Sequence, residues 1–320
     1  MTTKVGIIGY GKIGRLRKQL VDNNKNTELF GVFDPYQRPE LIPDGGMPLQ
    51  DLVSGSDLVL VCTPHSENAG MAAAVMTAGK HLGLEKPMAT DYGTAHNLLA
   101  YQTADKQAMV FMNHRWHDSV MHALTELPRL GSVMWVRGVY GKYELENWRT
   151  DRERAGRGIL LSQGIHMVDL FRQFVKGELQ VVGAIADEAN GIERDVMALL
   201  RGSNGERISL HSSALLWKNT FRLEVGCEHG YLTLDGLITS TRSFGFAEKL
   251  VVGGKPNQFY AKGNPPEQTF YFDKDPSYKR EFDYLVDCIV GGEKVEICSL
   301  DDALETMRLV QNIYDKCDER

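Results

Sequence analysis

The sequence predicts an α/β protein of two domains, a doubly wound parallel sheet followed by an α/β domain built on a large, mostly antiparallel open sheet. Three observations carry this. Up to about residue 113, short apolar runs alternate with stretches of helical composition, as in a parallel sheet covered on both faces. Beyond about residue 130, apolar and polar residues alternate instead and are joined by Gly-rich turns such as Ser203-Asn204-Gly205, as in an antiparallel sheet with one packed face. A length of 320 residues, 42% of them hydrophobic and 24% charged, suits two medium domains and excludes a disordered or collagen-like chain.

In chain order, the first half predicts strands at Val5 to Ile8, Leu29 to Phe33, Leu58 to Val61, His81 to Leu84 and Met109 to Met112. Helices are predicted between them near 12–23, 67–78 and 91–105. The second half predicts strands at Val133 to Tyr140, 180–186, 195–201, 207–211, 220–226, 230–234 and 268–272. Its helices are predicted at 162–175, 277–290 and 300–316, the last begun by Ser299 as N-cap. Residues 253–266, rich in Gly, Pro, Asn and Lys, read as a surface loop, and the chain shows no internal repeat or low-complexity tract.

The net charge of −6, with no basic block, argues against nucleic acid as a principal partner. No apolar run approaches the roughly 20 residues of a membrane span. Met1-Thr2-Thr3-Lys4 runs directly into the first strand, which is too short for a signal-peptide core, so a cytoplasmic protein is expected. Five scattered cysteines without a C-x-x-C pair read as reduced, mostly buried thiols, and no metal site is expected.

Gly9-Tyr10-Gly11-Lys12-Ile13-Gly14 is a G-x-G-x-x-G run, which alone is a weak signal. Its context is informative: it follows the first strand, opens a helix, and precedes Asp34 at the end of the second strand. Gly9 allows the tight turn, Gly11 the approach of a pyrophosphate, and Gly14 the packing of helix on strand. Lys12 and Ile13 are expected over the pyrophosphate. A carboxylate at Asp34 accepts from both ribose hydroxyls and opposes a 2′-phosphate, which favours NAD over NADP; the nearby Arg38 softens that preference.

Further motifs follow. Val61-Cys62-Thr63-Pro64-His65 ends the third strand, and the fourth leads to Glu85-Lys86-Pro87-Met88-Ala89. Gly156-Arg157-Gly158 leads to Ser162-Gln163-Gly164-Ile165-His166 and then Asp169. Together these resemble the glucose-fructose oxidoreductase and inositol dehydrogenase family, Gfo/Idh/MocA, across essentially the whole chain. Trp217 to Glu224 and Gly230-Tyr231-Leu232 are similar to a branch among sugar-nucleotide dehydrogenases of surface-polysaccharide pathways. The resemblance implies an NAD-binding Rossmann domain over 1–117 and a substrate-binding and oligomerisation domain over 118–320, forming a homodimer or homotetramer through its sheet. It implies hydride transfer between nicotinamide and a sugar, cyclitol or polyol carbon, with Lys86 beside the reacting hydroxyl and His166 exchanging its proton. Thr63, Pro64, His65, Glu85 and Lys86 are then expected at the cofactor, and Lys86, Trp148, Arg157, Ser162, Gln163 and His166 at the substrate, a sugar or nucleotide sugar.

The chemistry suits these residue types. Oxidising a secondary alcohol sends a hydride to the cofactor and a proton to a base, and histidine titrates near working pH. A lysine charge stabilises the developing alkoxide. Asp169, one helical turn after His166, could orient the imidazole or support the helix. Tyr143, Trp148 and Arg149 could wall a sugar site, and Asn113-His114-Arg115-Trp116-His117 could reach the substrate. Three positions depart from the family pattern: Ser162 replaces a common aspartate, Arg157 stands among glycines where it could bind an anionic group, and Asn68 replaces a helix histidine. Two rivals share the fold: a redox-neutral NAD-using glycosidase or epimerase-like enzyme, and a non-catalytic dinucleotide or sugar sensor.

Overall fold

A computed structural model describes residues 2–239, 247–254 and 265–319. Two compact units are formed, Met1–Met112 with Glu153–Gly156 and Tyr278–Met307, and Asn113–Arg152 with Arg157–Ser277 and Arg308–Arg320. The sequence-based division, 1–117 and 118–320, differs from this: the first unit ends at Met112, and residues 153–156 and 278–307 return to it. The reason is pairing: Met109 bridges Ser299, Val110 N donates to Cys298 O at 2.9 Å, and Glu281 pairs with Arg17.

In the first unit β1 (Thr3–Ile8), β2 (Thr27–Phe33), β3 (Leu58–Val61), β4 (His81–Glu85) and β5 (Ala108–Phe111) form a parallel sheet of order β2-β1-β3-β4-β5. The helices α1 (Lys12–Asn23), α2 (Leu49–Gly55), α3 (His65–Thr77) and α4 (Tyr92–Leu98) lie between consecutive strands. Strands β3 and β5 are buried at every residue, as their continuous apolar runs require. The order reverses at β1, which lies between β2 and β3, and the crevice at such a switch point is where ligands meet the strand ends. Helix α2 was not expected. Helix α4 stops short of 105, its last turn tightening to a 3₁₀ turn over Leu99–Tyr101.

The second unit contains α5 (Asp118–Glu126), β6 (Val133–Gly141), α7 (Ile165–Phe174), β7 (Leu179–Ala189), β8 (Ile192–Gly202) and β9 (Arg207–Ser213). It continues through β10 (Thr220–Cys227), β11 (Gly230–Asp235), β12 (Glu248–Gly254) and β13 (Glu267–Phe272). Short α6 (Arg152–Ala155), α8 (Ser277–Gly291) and α9 (Leu300–Asp318) complete the chain. The sheet order is β13-β12-β11-β10-β6-β9-β8-β7, antiparallel except between β6 and β9. Helix α7 packs on β6, where a Cβ at Gly138 would meet the Met167 side chain at 2.5 Å. Two elements of this unit escaped the sequence reading: α5, and β12, disguised by Gly253 and Gly254. The Tyr231 ring occupies the space a side chain at Gly253 would need. Of the loop expected over 253–266, residues 255–264 lie outside the described residues. Ser299 caps α9 as expected, its Oγ accepting from Asp302 N at 3.2 Å.

Candidate functional site

The turn after β1 has the features a dinucleotide needs. Gly9 has φ +90°, and a Cβ there would meet Cys62 O at 2.6 Å. A Cβ at Gly14 would fall 2.0 Å from Gly9 O, so α1 can start this close to β1 only with glycine. Gly11 differs: a Cβ there would meet nothing within 4 Å. Gly11 is also the N-cap of α1, and no side chain caps the start of the helix. Open space over uncapped amides at the end of β1 fits a pyrophosphate. Lys12 and Ile13 form the first turn of α1, Lys12 exposed and Ile13 half-buried. Asp34 accepts from Tyr10 N at 2.7 Å and from Tyr36 N and Gln37 N at 2.8 and 3.1 Å, which fixes its carboxylate beside the glycine turn. Arg38 is exposed.

Lys86 leaves β4 through a cis bond to Pro87, and the turn is anchored on both sides. Asn68, fully buried on α3, donates to Glu85 O at 3.0 Å and Pro87 O at 2.7 Å and accepts from Thr63 Oγ1 at 2.8 Å. The residue that breaks the family pattern therefore ties the Thr63-Pro64 turn to the Lys86 turn. The Glu85 carboxylate, expected at the cofactor, is held by Arg17 through Nε at 2.9 Å and Nη2 at 2.6 Å. Arg17, fully buried, also pairs with Glu281 at 2.6 Å and lies 3.7 Å over the Phe111 ring. A guanidinium satisfies two buried carboxylates here, and losing it would strand both. His65 begins α3, buried, with Nδ1 3.0 Å from Ala155 O. Gly9, Thr63 and Lys86 thus leave the same ends of β1, β3 and β4.

In the second unit His166, 5% exposed, lies in the first turn of α7. Its ring stacks on that of His114, centroids 3.8 Å apart and planes 8° from parallel. Tyr140 on β6 stands 6.4 Å from His166 and its hydroxyl lies 3.1 Å from His114 Nε2. Sequence reasoning placed His114 near the substrate but missed the stacking; the only signal was a polar cluster straight after an apolar strand. Asp169 is paired bidentately with Arg115, at 2.7 and 2.5 Å, so its carboxylate holds α7 to the 113–116 segment.

Ser162 and Gln163 lie in a π turn, Leu160–Gly164, that runs into α7, and Ser162 is buried. Such turns are frequent at functional sites. Glu193 braces it: one carboxylate oxygen accepts from Leu160 N at 3.1 Å and from the Tyr314 hydroxyl at 2.9 Å. Burial pushes this carboxyl up to about 7. Arg157 pairs with Asp318 at 2.9 Å and lies 4.3 Å over Tyr314, so its charge already has a partner. Trp148, half-buried, is covered by Arg149 at 4.4 Å, and Tyr143 stacks on Trp217 at 5.2 Å. Among the described residues no group of His, Cys, Asp and Glu is arranged to hold a metal ion, and no helix is long and apolar enough to cross a membrane.

Family models match both parts of the chain: an oxidoreductase family with NAD-binding Rossmann fold over residues 3–114, and the GFO/IDH/MocA C-terminal domain over 120–233. The chain is 26% identical over 204 residues to the putative UDP-kanosamine synthase oxidoreductase subunit of Amycolatopsis mediterranei, covering 59% of this chain and 56% of that protein. The chain thus spans about half the length of the curated relatives it matches. The solved aldose-aldose oxidoreductase of Caulobacter crescentus, in complex with glycerol, has TM-score 0.85 at 20% identity over 100% of this chain and 98% of that one. The 3-ketoreductase KijD10 of Actinomadura kijaniata, in complex with NADP and TDP-benzene, has TM-score 0.83 at 18% identity, covering 99% and 98%. At such identities the two structures establish the fold alone.

Proposed function

We propose that this chain, which belongs to the GFO/IDH/MocA oxidoreductase family, is a dehydrogenase or ketoreductase that exchanges a hydride between NAD and a secondary alcohol or ketone of a sugar, probed first as a nucleotide sugar. The observation that carries this is the shared edge of the first sheet, where an open glycine-lined helix start leaves the end of β1 and the doubly anchored Lys86 turn leaves the same end of β4, with only β3 between them. The nicotinamide, when bound, supplies the hydride acceptor or donor. Lys86 stabilises negative charge on the reacting oxygen, and the His166 imidazole takes the hydroxyl proton in oxidation and returns it in reduction. Ser162 hydrogen-bonds but carries no charge, so the proton step rests on Lys86 and His166.

NAD is proposed over NADP because Asp34 sets a fixed negative charge beside the glycine turn. A nucleotide-linked sugar is proposed on the sequence features shared with sugar-nucleotide dehydrogenases; the kanosamine synthase relative and the TDP ligand of KijD10 support it. Self-association through the large sheet is proposed on its exposed apolar side chains. Ile185 lies directly opposite Met197, with Val182 and Leu199 also exposed. The five free thiols support a reducing, cytoplasmic compartment.

The test is a screen of the purified protein with NAD and NADP against free sugars, inositols and nucleotide sugars, following nicotinamide absorbance. Reduction of NAD by one substrate class is the expected result. His166→Ala should lower turnover by roughly two to four powers of ten while NAD binding persists; unchanged turnover removes His166 from the mechanism. If a ligand shifts the melting temperature and no substrate changes the cofactor's redox state, the redox-neutral and sensor readings replace this one.

A further inference from the structure

A hydrogen-bond chain in the second unit has a direction that can be read from its end. An ionised carboxylate only accepts, and Asp275 Oδ1 accepts from Ser277 Oγ at 2.6 Å and Ser277 N at 3.0 Å. With its proton committed there, Ser277 Oγ accepts from Asn113 Nδ2 at 3.2 Å, which turns the Asn113 carbonyl oxygen toward His114. That oxygen lies 3.0 Å from His114 Nδ1, so Nδ1 carries the proton. In the neutral ring Nε2 is then the acceptor, and the Tyr140 hydroxyl faces it at 3.1 Å. The ring held in this way is the one that lies flat on His166.

We propose that His114 is a positioning residue for His166: a neutral imidazole, fixed in its Nδ1–H form, that sets the plane of the His166 ring and lets the stacked pair carry one positive charge but not two. The inference rests on the reading of His166 as the proton acceptor. Two imidazolium rings at 3.8 Å would repel, so the proton that His166 takes from substrate excludes a second on His114. The groups around the pair are consistent with this. Tyr140 contributes a hydroxyl and Phe221 an apolar edge. His117 lies edge-on to His114 at 5.6 Å and is bound to Glu248 at 2.7 Å. On α7 itself, Asp169 is neutralised by Arg115.

The experiment is a pH titration of the full chain carrying ¹⁵N-labelled histidine, followed by NMR, alongside kinetics of His114→Phe and His114→Ala. His114 should stay in the Nδ1–H form while His166 titrates; an Nε2–H form, or both rings titrating together, overturns the proposal. His114→Phe, which keeps a flat ring, should retain kcat within about three-fold, whereas His114→Ala should lose roughly ten- to a hundred-fold in kcat with the KM for NAD unchanged. Equal kcat in both variants overturns the positioning role. Unchanged turnover in His166→Ala would defeat the reading of His166 instead, while the titration still decides whether the pair carries one positive charge or two.

Discussion

The first unit builds its candidate site from main chain, the second from side chains. Around Gly9–Gly14 the determinants are a positive φ, a helix start without a side-chain cap and a space that no Cβ fills. Around His166 they are two imidazoles, a phenol and a directed chain of Asn, Ser and Asp drawn from residues 113, 114, 140, 166, 275 and 277. A main-chain site is local and tolerates few residue types. A side-chain site needs particular groups brought together from segments far apart in sequence.

The glycines offer the sharpest way to break this comparison. Gly14→Val would drive a side chain into the Gly9 carbonyl, 2.0 Å from the Cβ position. It should lower NAD affinity by more than about a hundred-fold and also lower the melting temperature by several degrees. Gly11→Ala places its methyl in open space, so the melting temperature should hold within about 1 °C while NAD affinity falls about ten-fold. Calorimetric binding and thermal unfolding of both variants check this; if Gly11→Ala destabilises the fold as Gly14→Val does, the open space does not serve a ligand.

The same contrast explains what the sequence revealed. The turn, Asp34 and every strand of the first unit were legible because their signals lie within one apolar run or one short motif. The structural role of Asn68 was not legible, since a fully buried amide looks in sequence like any polar helix residue. The sharing of Arg17 between Glu85 and Glu281 was equally hidden, because Glu281 lies 264 residues away from Arg17. Strand β12 was lost because Gly253 and Gly254 read as a loop, whereas Gly253 makes room for the Tyr231 ring. His166 was singled out through its motif, and His114, which stacks on it, only as a neighbour of a strand end.

Buried carboxylates sharpen the comparison further. Glu85 in the first unit and Asp169 in the second each face a guanidinium, whereas Glu193 is held by a hydroxyl and an amide. Burial raises its carboxyl from an ordinary 4.5 to about 7. Between those values the folded chain keeps a proton that the unfolded chain has released, so stability should fall as pH rises from about 4.5 to about 7 and level off above. Glu193→Gln keeps the accepting oxygen and has no charge to desolvate. It should be more stable than the wild type by about 1–3 kcal/mol at pH 8 and nearly equal at pH 4.5. Denaturant unfolding at the two pH values checks this, and parallel curves for the two proteins would show that Glu193 is ionised without penalty.

Asp34 gives the smallest effect and tests where the two kinds of site meet, because a side chain there both holds main chain and selects the ligand. Its carboxylate accepts from three backbone amides, two of them in its own turn. Asp34→Asn keeps an accepting oxygen and loses the charge; Asp34→Ala loses both. If charge sets the cofactor preference, both variants should cut the ratio of NAD to NADP affinity by about ten-fold, corresponding to roughly 1.4 kcal/mol. If the carboxylate acts only by shaping the turn, Asp34→Ala should weaken both cofactors alike and Asp34→Asn should resemble the wild type. Binding titrations with NAD and NADP separate these outcomes, since a lost turn moves both affinities together and a lost charge moves them apart.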